Sequence, residues 1–239
     1  MRIFLALVFS NLLICTAHAQ KDDATPTEST FEKPHETNIE GWTIRVDKKL
    51  VADDAKYHAA SKALANHLQR VKYIVPEKRV KELQKLPVWL EMNNLRLETM
   101  QYHPDTGWLE KNGHDPALVK HVHIPVAADL TSRQQWAKHP YVVLHELAHS
   151  YHDQVLGFNH PEIKRVFEAA KAAEIYDEVL DHAGRKVKHY ALSNHKEYFA
   201  EMTEAYFGVN DFFPFVRAEL KQHDPRMYSL LEKIWGKIQ

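Results

Sequence analysis

Residues Tyr141 to Asp153 read YVVLHELAHSYHD and carry His145, Glu146, His149 and His152 within one short stretch. On an α-helix, residues four apart lie one turn above each other on the same face, so His145 and His149 can aim imidazole nitrogens at one point. That geometry suits zinc. Glu146, next to the first histidine, can reach a metal-held water without binding the metal, which makes it the candidate general base of an H-E-x-x-H pattern. The chain has 17 histidines, so the pattern can arise by coincidence, but YVVL before it and LA within it supply the apolar face that a buried metal-bearing helix needs. A catalytic zinc takes three protein ligands and keeps a fourth position open, so one ligand is still to be found.

His152 is nearest. It lies seven residues beyond His145, about 10 Å along a straight helix, too far for both to bind one ion through bonds of about 2 Å. Second-shell support, substrate contact or plain surface are the roles left to it, with surface the simplest. The pattern that would add a third histidine needs Gly at 152 and His at 155, where this chain has His152 and Val155, so the metzincin signature is absent. A better source is YALSNHKEYFAEMTEAYFG, Tyr190 to Gly208, where Glu197 and Glu201 stand among Tyr198, Phe199, Met202 and Phe207. Carboxylates among large apolar groups are costly unless paired or bound to metal, and one of them would complete a two-histidine, one-glutamate set.

HELAH followed about fifty residues later by Y-x-x-x-N-x-x-E-Y-F-A-E resembles the gluzincin zinc metallopeptidases, most closely the anthrax lethal factor catalytic-domain-like secreted bacterial metallopeptidases. The resemblance is specific in Tyr141–Asp153 and Tyr190–Gly208 and loose elsewhere. It implies His145, His149 and Glu197 as ligands of one zinc ion, Glu146 as general base, Tyr190 as the phenol that stabilises the oxyanion, and Glu201 as a second-shell carboxylate orienting a ligand histidine. Asn194 can cap the second helix; Glu197 then occupies the capping-box position, which is its purely structural alternative.

These segments need a scaffold. WTIRVD from Trp42, PVWLEM from Pro87 and VKHVHIPV from Val119 read as strands, with a helix from Asp53 or Asp54 to Tyr73 and a shorter one from Pro76 to Lys85. Asn93 to Asp115 is rich in turn formers and reads as a long loop. Helices are expected over about Pro140–Leu156, Pro161–Leu180, Asn194–Phe207, Pro214–Gln222 and Pro225–Trp235, several with proline at the start. Strands early and helices late indicate an α+β, zincin-like fold, with a small N-terminal mixed sheet and a helical C-terminal half. In such folds an edge strand pairs with extended substrate, and VKHVHIPV is the candidate; His121 and His123 on its one face are a further, weaker metal candidate.

At the other end, residues 1–19 show a basic start at Arg2, a short apolar run and small residues at Ala17 and Ala19, the pattern of a signal peptide. The only cysteine, Cys15, follows the bulky Ile14, which disfavours lipid attachment and leaves the processed chain without thiol or disulfide chemistry. Residues 20–40 read as a flexible leader and 41–239 as a single domain. The chain is thus expected to be secreted or periplasmic, without a stable membrane anchor. A balance of 31 basic and 32 acidic residues gives no footprint for nucleic acid. The expected partner is a peptide or protein substrate; a zincin scaffold retained for metal binding or interaction without turnover is the alternative, although it needs neither Glu146 nor Tyr190.

Overall fold

The computed structural model describes residues 31–238, so the expected signal peptide and the start of the leader lie outside it. The chain opens with β1 (His35–Ile39) and β2 (Trp42–Val46), joined by Glu40 and Gly41 at φ 54° and 97°. Positive φ at both turn residues is the hairpin geometry that matches strand twist, and glycine adopts it without strain. β1 corrects the leader boundary: residues 35–39 lack large apolar side chains apart from Ile39, yet their backbone pairs antiparallel with β2 along its whole length. An edge strand needs only one satisfied side, which composition does not reveal.

Next come α1 (Lys48–Ala52), α2 (Asp54–Ile74) and α3 (Glu77–Leu83). In α2, Asp53 caps the start, and Ala60, Ala63, Leu64, His67, Leu68 and Val71 are buried at helical spacing. β3 (Val88–Leu90), β4 (Gln101–Tyr102), α4 (Thr106–Lys111) and β5 (Val122–Ile124) follow. The five-stranded sheet runs β1-β2-β3-β5-β4, parallel between β2, β3 and β5 and antiparallel at both margins. β3 and β5 are buried at every position, as central parallel strands are. VKHVHIPV is therefore an inner strand, and the margin it was expected to form belongs to β4, a two-residue strand inside the segment read as loop.

The remainder is mostly helical: α5 (Arg133–Lys138), α6 (Val142–Tyr151), α7 (Pro161–Ala172), a small hairpin of β6 (Val179–Leu180) and β7 (Lys186–Val187), α8 (His195–Phe207), α9 (Arg217–His223) and α10 (Pro225–Trp235). The helix expected to reach Leu180 stops at Ala172 because the chain turns into the hairpin. The α+β expectation holds. One continuous core joins the sheet to α2, α6, α8 and α10, with Trp42, Leu64, Leu144, Phe199 and Trp235 all at 1 % exposure or less.

Candidate metal centre

Two helices decide the site. Every residue of α6 is buried, and α6 packs against α8. No side chain caps α6; its start is held by packing instead. The Arg70 guanidinium lies 4.1 Å from the Tyr141 ring centroid and donates to Pro140 O at 3.1 Å. Gly208 approaches the same ring so closely that a Cβ there would meet Tyr141 Cζ at 2.3 Å. Beyond Tyr151 the helix continues as a π-helical turn, His152–Leu156, and ends at Gly157 with φ 80°. At α8, Asn194 accepts hydrogen bonds from Lys196 N at 2.9 Å and Glu197 N at 3.1 Å. The cap is made by Asn194, while the Glu197 carboxylate turns toward α6.

His145 Nε2 and His149 Nε2 are 3.0 Å apart, and Glu197 Oε2 lies 3.3 Å from the first and 3.1 Å from the second. A tetrahedral zinc with bonds of about 2.0–2.1 Å places neighbouring ligand atoms about 3.3 Å apart, so the triangle is nearly the size that one ion requires. Two imidazole nitrogens facing each other also need something between them, either a shared proton or a cation. The donor set and spacing fit zinc. Burial by itself lowers the proton affinity of His145, but the Glu197 and Glu204 carboxylates outweigh it and raise its pKa well above the usual value. A field that holds a proton there would equally favour a cation.

The orientation of His145 comes from Glu204. Its Nδ1–H donates to Glu204 Oε1 at 2.7 Å, which leaves the Nε2 lone pair for the metal position. The expected partner, Glu201, stands 3.7 Å from the same nitrogen, beyond hydrogen-bond range. The physical reason is helix geometry: Glu197, Glu201 and Glu204 share one face of α8, and the last, two turns beyond Glu197, reaches the outer side of the His145 ring. Glu204 also receives His139 Nε2, at 2.8 and 2.9 Å from its two oxygens. His139, His145 and Glu204 can be drawn as a second metal group, but nitrogen–oxygen separations of 2.7–2.9 Å are those of charge-assisted hydrogen bonds and shorter than ligand spacing around zinc.

Glu146 is 7 % exposed, and burial, the largest influence on it, raises its pKa. Together with Tyr190 it lines a cleft of about 880 Å³ that also contains the His145, His149 and Glu197 side chains. Tyr190, on the 3-10 turn before α8, is 49 % exposed. Burial and the Glu197 charge raise its pKa, so the phenol keeps its proton. β4 and the residues before it, Glu98–Met100, form one wall of the cleft, and the β6–β7 hairpin, through Arg185 and Val187, forms another.

His152 departs from the surface role expected of it. It is fully buried, packed against Phe158, His195 and Phe199, with neither ring nitrogen hydrogen-bonded. Burial holds its pKa down at about 3, so it is a neutral core residue. His123 is likewise internal, 3.0 Å through Nδ1 from His103 Nε2 and 3.2 Å through Nε2 from Glu91 Oε1. His121 instead contacts its own strand's entry through Val119 O at 2.8 Å, so the two do not share a metal position. Glu204 and His139 were not singled out by motif. The signal for Glu204 was its place seven residues beyond Glu197 on an otherwise apolar helix; His139 carried none.

Among the described residues no helix is long and apolar enough to cross a membrane. No curated protein and no solved structure matches the chain. A family model does match, that of "Anthrax toxin lethal factor, N- and C-terminal domain", over residues 108–234. That span covers α6, α8 and every residue of the metal triangle, and just over half of the 239 residues. The chain belongs to the anthrax toxin lethal factor family.

Proposed function

We propose that the protein is a zinc-dependent endopeptidase, exported through the signal-like residues 1–19. The observation that carries this reading is the convergence of His145 Nε2, His149 Nε2 and Glu197 Oε2 within 3.0–3.3 Å of one another in an open cleft that Glu146 also lines. These three residues would hold one zinc ion, which supplies Lewis acidity when bound. The rest is done by the chain. Glu146, its proton affinity raised by burial, takes a proton from the attacking water and delivers it to the departing amine. Tyr190 keeps its proton and donates to the developing oxyanion, a hydrogen bond that strengthens toward the transition state. β4 sits at the sheet margin beside the cleft, where an extended peptide can add as a further strand.

The test combines metal content with turnover. Purified protein should hold about one zinc per chain, cleave an unfolded protein or a peptide library, and lose cleavage on chelation. Glu146→Gln should keep the zinc and lose turnover. Zinc bound with no cleavage of any peptide would sink the enzyme reading in favour of a binding protein on the same scaffold.

A further inference from the structure

Asp153 lies four residues beyond His149, on the π-helical turn that extends α6, and takes no part in the chemistry above. Its side chain is 14 % exposed, and its Oδ2 accepts both the Tyr102 phenol, at 2.6 Å, and the Lys120 ammonium. Tyr102 ends β4, and Lys120 stands two residues before β5. The next residue of the turn, Gln154, donates from Nε2 to Lys120 O at 3.2 Å and to Ser150 Oγ at 2.9 Å. Lys120 N in turn donates to His103 O at 2.7 Å. The backbone of Lys120 has φ 63°, the left-handed region that a residue with a Cβ rarely takes, and such a conformation persists where its surroundings over-determine it.

β4 needs such an anchor. It is two residues long and pairs with β5 alone, at the end of the sheet, so its own ladder holds it weakly. Yet β4 and the residues before it line the cleft, and the Tyr102 ring meets the ring of Phe158, another cleft residue, edge-on at 6.4 Å between centroids. Burial first, and the Asp153 charge second, raise the pKa of Tyr102, so the phenol stays protonated and donates. A hydrogen bond to an ionised acceptor is about twice as strong as one between neutral groups.

We propose that Asp153 is a positioning residue for the substrate: it locks the edge of β4 at a fixed distance from the metal-bearing helix, so that a peptide added to that edge lies with its scissile bond over the metal position. The inference rests on the peptidase reading and names how the same site sets the register of its substrate. One continuous stretch of helix carries His145, Glu146 and His149 and, on its extension, the anchor of the strand, so the reacting groups and the peptide's docking edge share a single frame. A misplacement of about 1 Å in such a frame can cost about 100-fold in rate.

The experiment uses zinc-loaded protein and one cleaved peptide shortened stepwise from each end. With wild type, kcat/KM should rise with length on the side that runs along β4. Asp153→Ala should reduce cleavage of the long peptides by about 10- to 100-fold, chiefly through KM, while the shortest peptides and zinc affinity are unchanged. Asp153→Asn, of the same shape and still an acceptor, should fall between the two. Tyr102→Phe, which removes only the phenol donor, should reproduce much of the loss, and combining it with Asp153→Ala should add little more. Equal length dependence in wild type and Asp153→Ala overturns the proposal. So does a loss that is the same for every peptide or that follows zinc affinity, since Asp153 would then act on α6 itself. A wild type that holds zinc and cleaves nothing defeats the peptidase reading; fluorescence anisotropy of the long peptides on zinc-loaded Glu146→Gln, with and without Asp153→Ala, then decides the positioning role, and no difference between the two overturns it.

Discussion

Glu204→Gln tests how the metal triangle is held. Glu204 is 0 % exposed and its two oxygens take Nδ1–H of His145 at 2.7 Å and Nε2–H of His139 at 2.8–2.9 Å. Glutamine has nearly the same shape but no charge, and its amide nitrogen would face one of those two donors. One buried charge-assisted hydrogen bond is lost, worth about 1.5–3 kcal/mol, and His145 is no longer tied to the tautomer that presents Nε2. Loss of such an outer carboxylate typically weakens a metal by 10–100-fold, or about 1.4–2.7 kcal/mol. Competitive zinc titration against a chromophoric chelator at neutral pH measures this directly. Glu201→Gln serves as the comparison, because its carboxylate is 3.7 Å from Nδ1 and should change zinc affinity much less. If Glu201→Gln weakens zinc as much as Glu204→Gln does, the assignment of the orienting role to Glu204 is wrong.

Tyr190→Phe should lower kcat by about 10²–10³-fold with zinc content and melting temperature unchanged, as expected for a lost oxyanion donor on a half-exposed side chain; a kcat within about threefold of wild type would remove Tyr190 from the chemistry. Gly208→Ala should cost about 1–3 kcal/mol in a denaturant titration, because the added methyl meets the Tyr141 ring, over which the Arg70 guanidinium is also packed; an unchanged midpoint would mean that the ring yields freely. Acid should be strongly destabilising. Burial holds His67 at about 4 and His103, His152 and His189 at about 3, against about 6.5 when unfolded. The unfolded chain therefore takes up the extra protons first, and stability is lost as pH falls below about 6.5, by at most about 5.4 kcal/mol per pH unit if all four titrate together. His139 acts in the opposite sense: burial lowers its pKa, but Glu204 more than restores it, to about 8, so its contribution is present below about 6.5 and fades as pH rises through 8. Thermal melts across pH 5–9 should peak between about 6.5 and 8, and a flat profile from 7 down to 5 would contradict the neutral buried histidines.

The sequence alone determined whatever local spacing controls. Helical periodicity and caps located α2, α6, α8 and α10 within a few residues, and the four-residue spacing of His145 and His149 placed two imidazoles on one face whatever the rest of the chain did. The short strands were harder. β1 and β4 lack the apolar alternation that marks a half-buried strand, and exist because a neighbouring backbone offers them hydrogen bonds. Position among strands is likewise a property of the assembled sheet, which is why VKHVHIPV, legible as a strand, was not legible as an inner one. At the site, His152 shows the same limit. Its distance along the helix ruled it out as a ligand, but its burial against Phe199 and His195 depends on how α6 and α8 cross. Glu201 and Glu204 lie on the same face of α8, and only the rotation and depth of that helix against α6 decided which carboxylate meets His145 and which is left open toward the cleft. Ligand types and spacing within one element are written in the chain; contacts between elements arise from packing that no local pattern encodes.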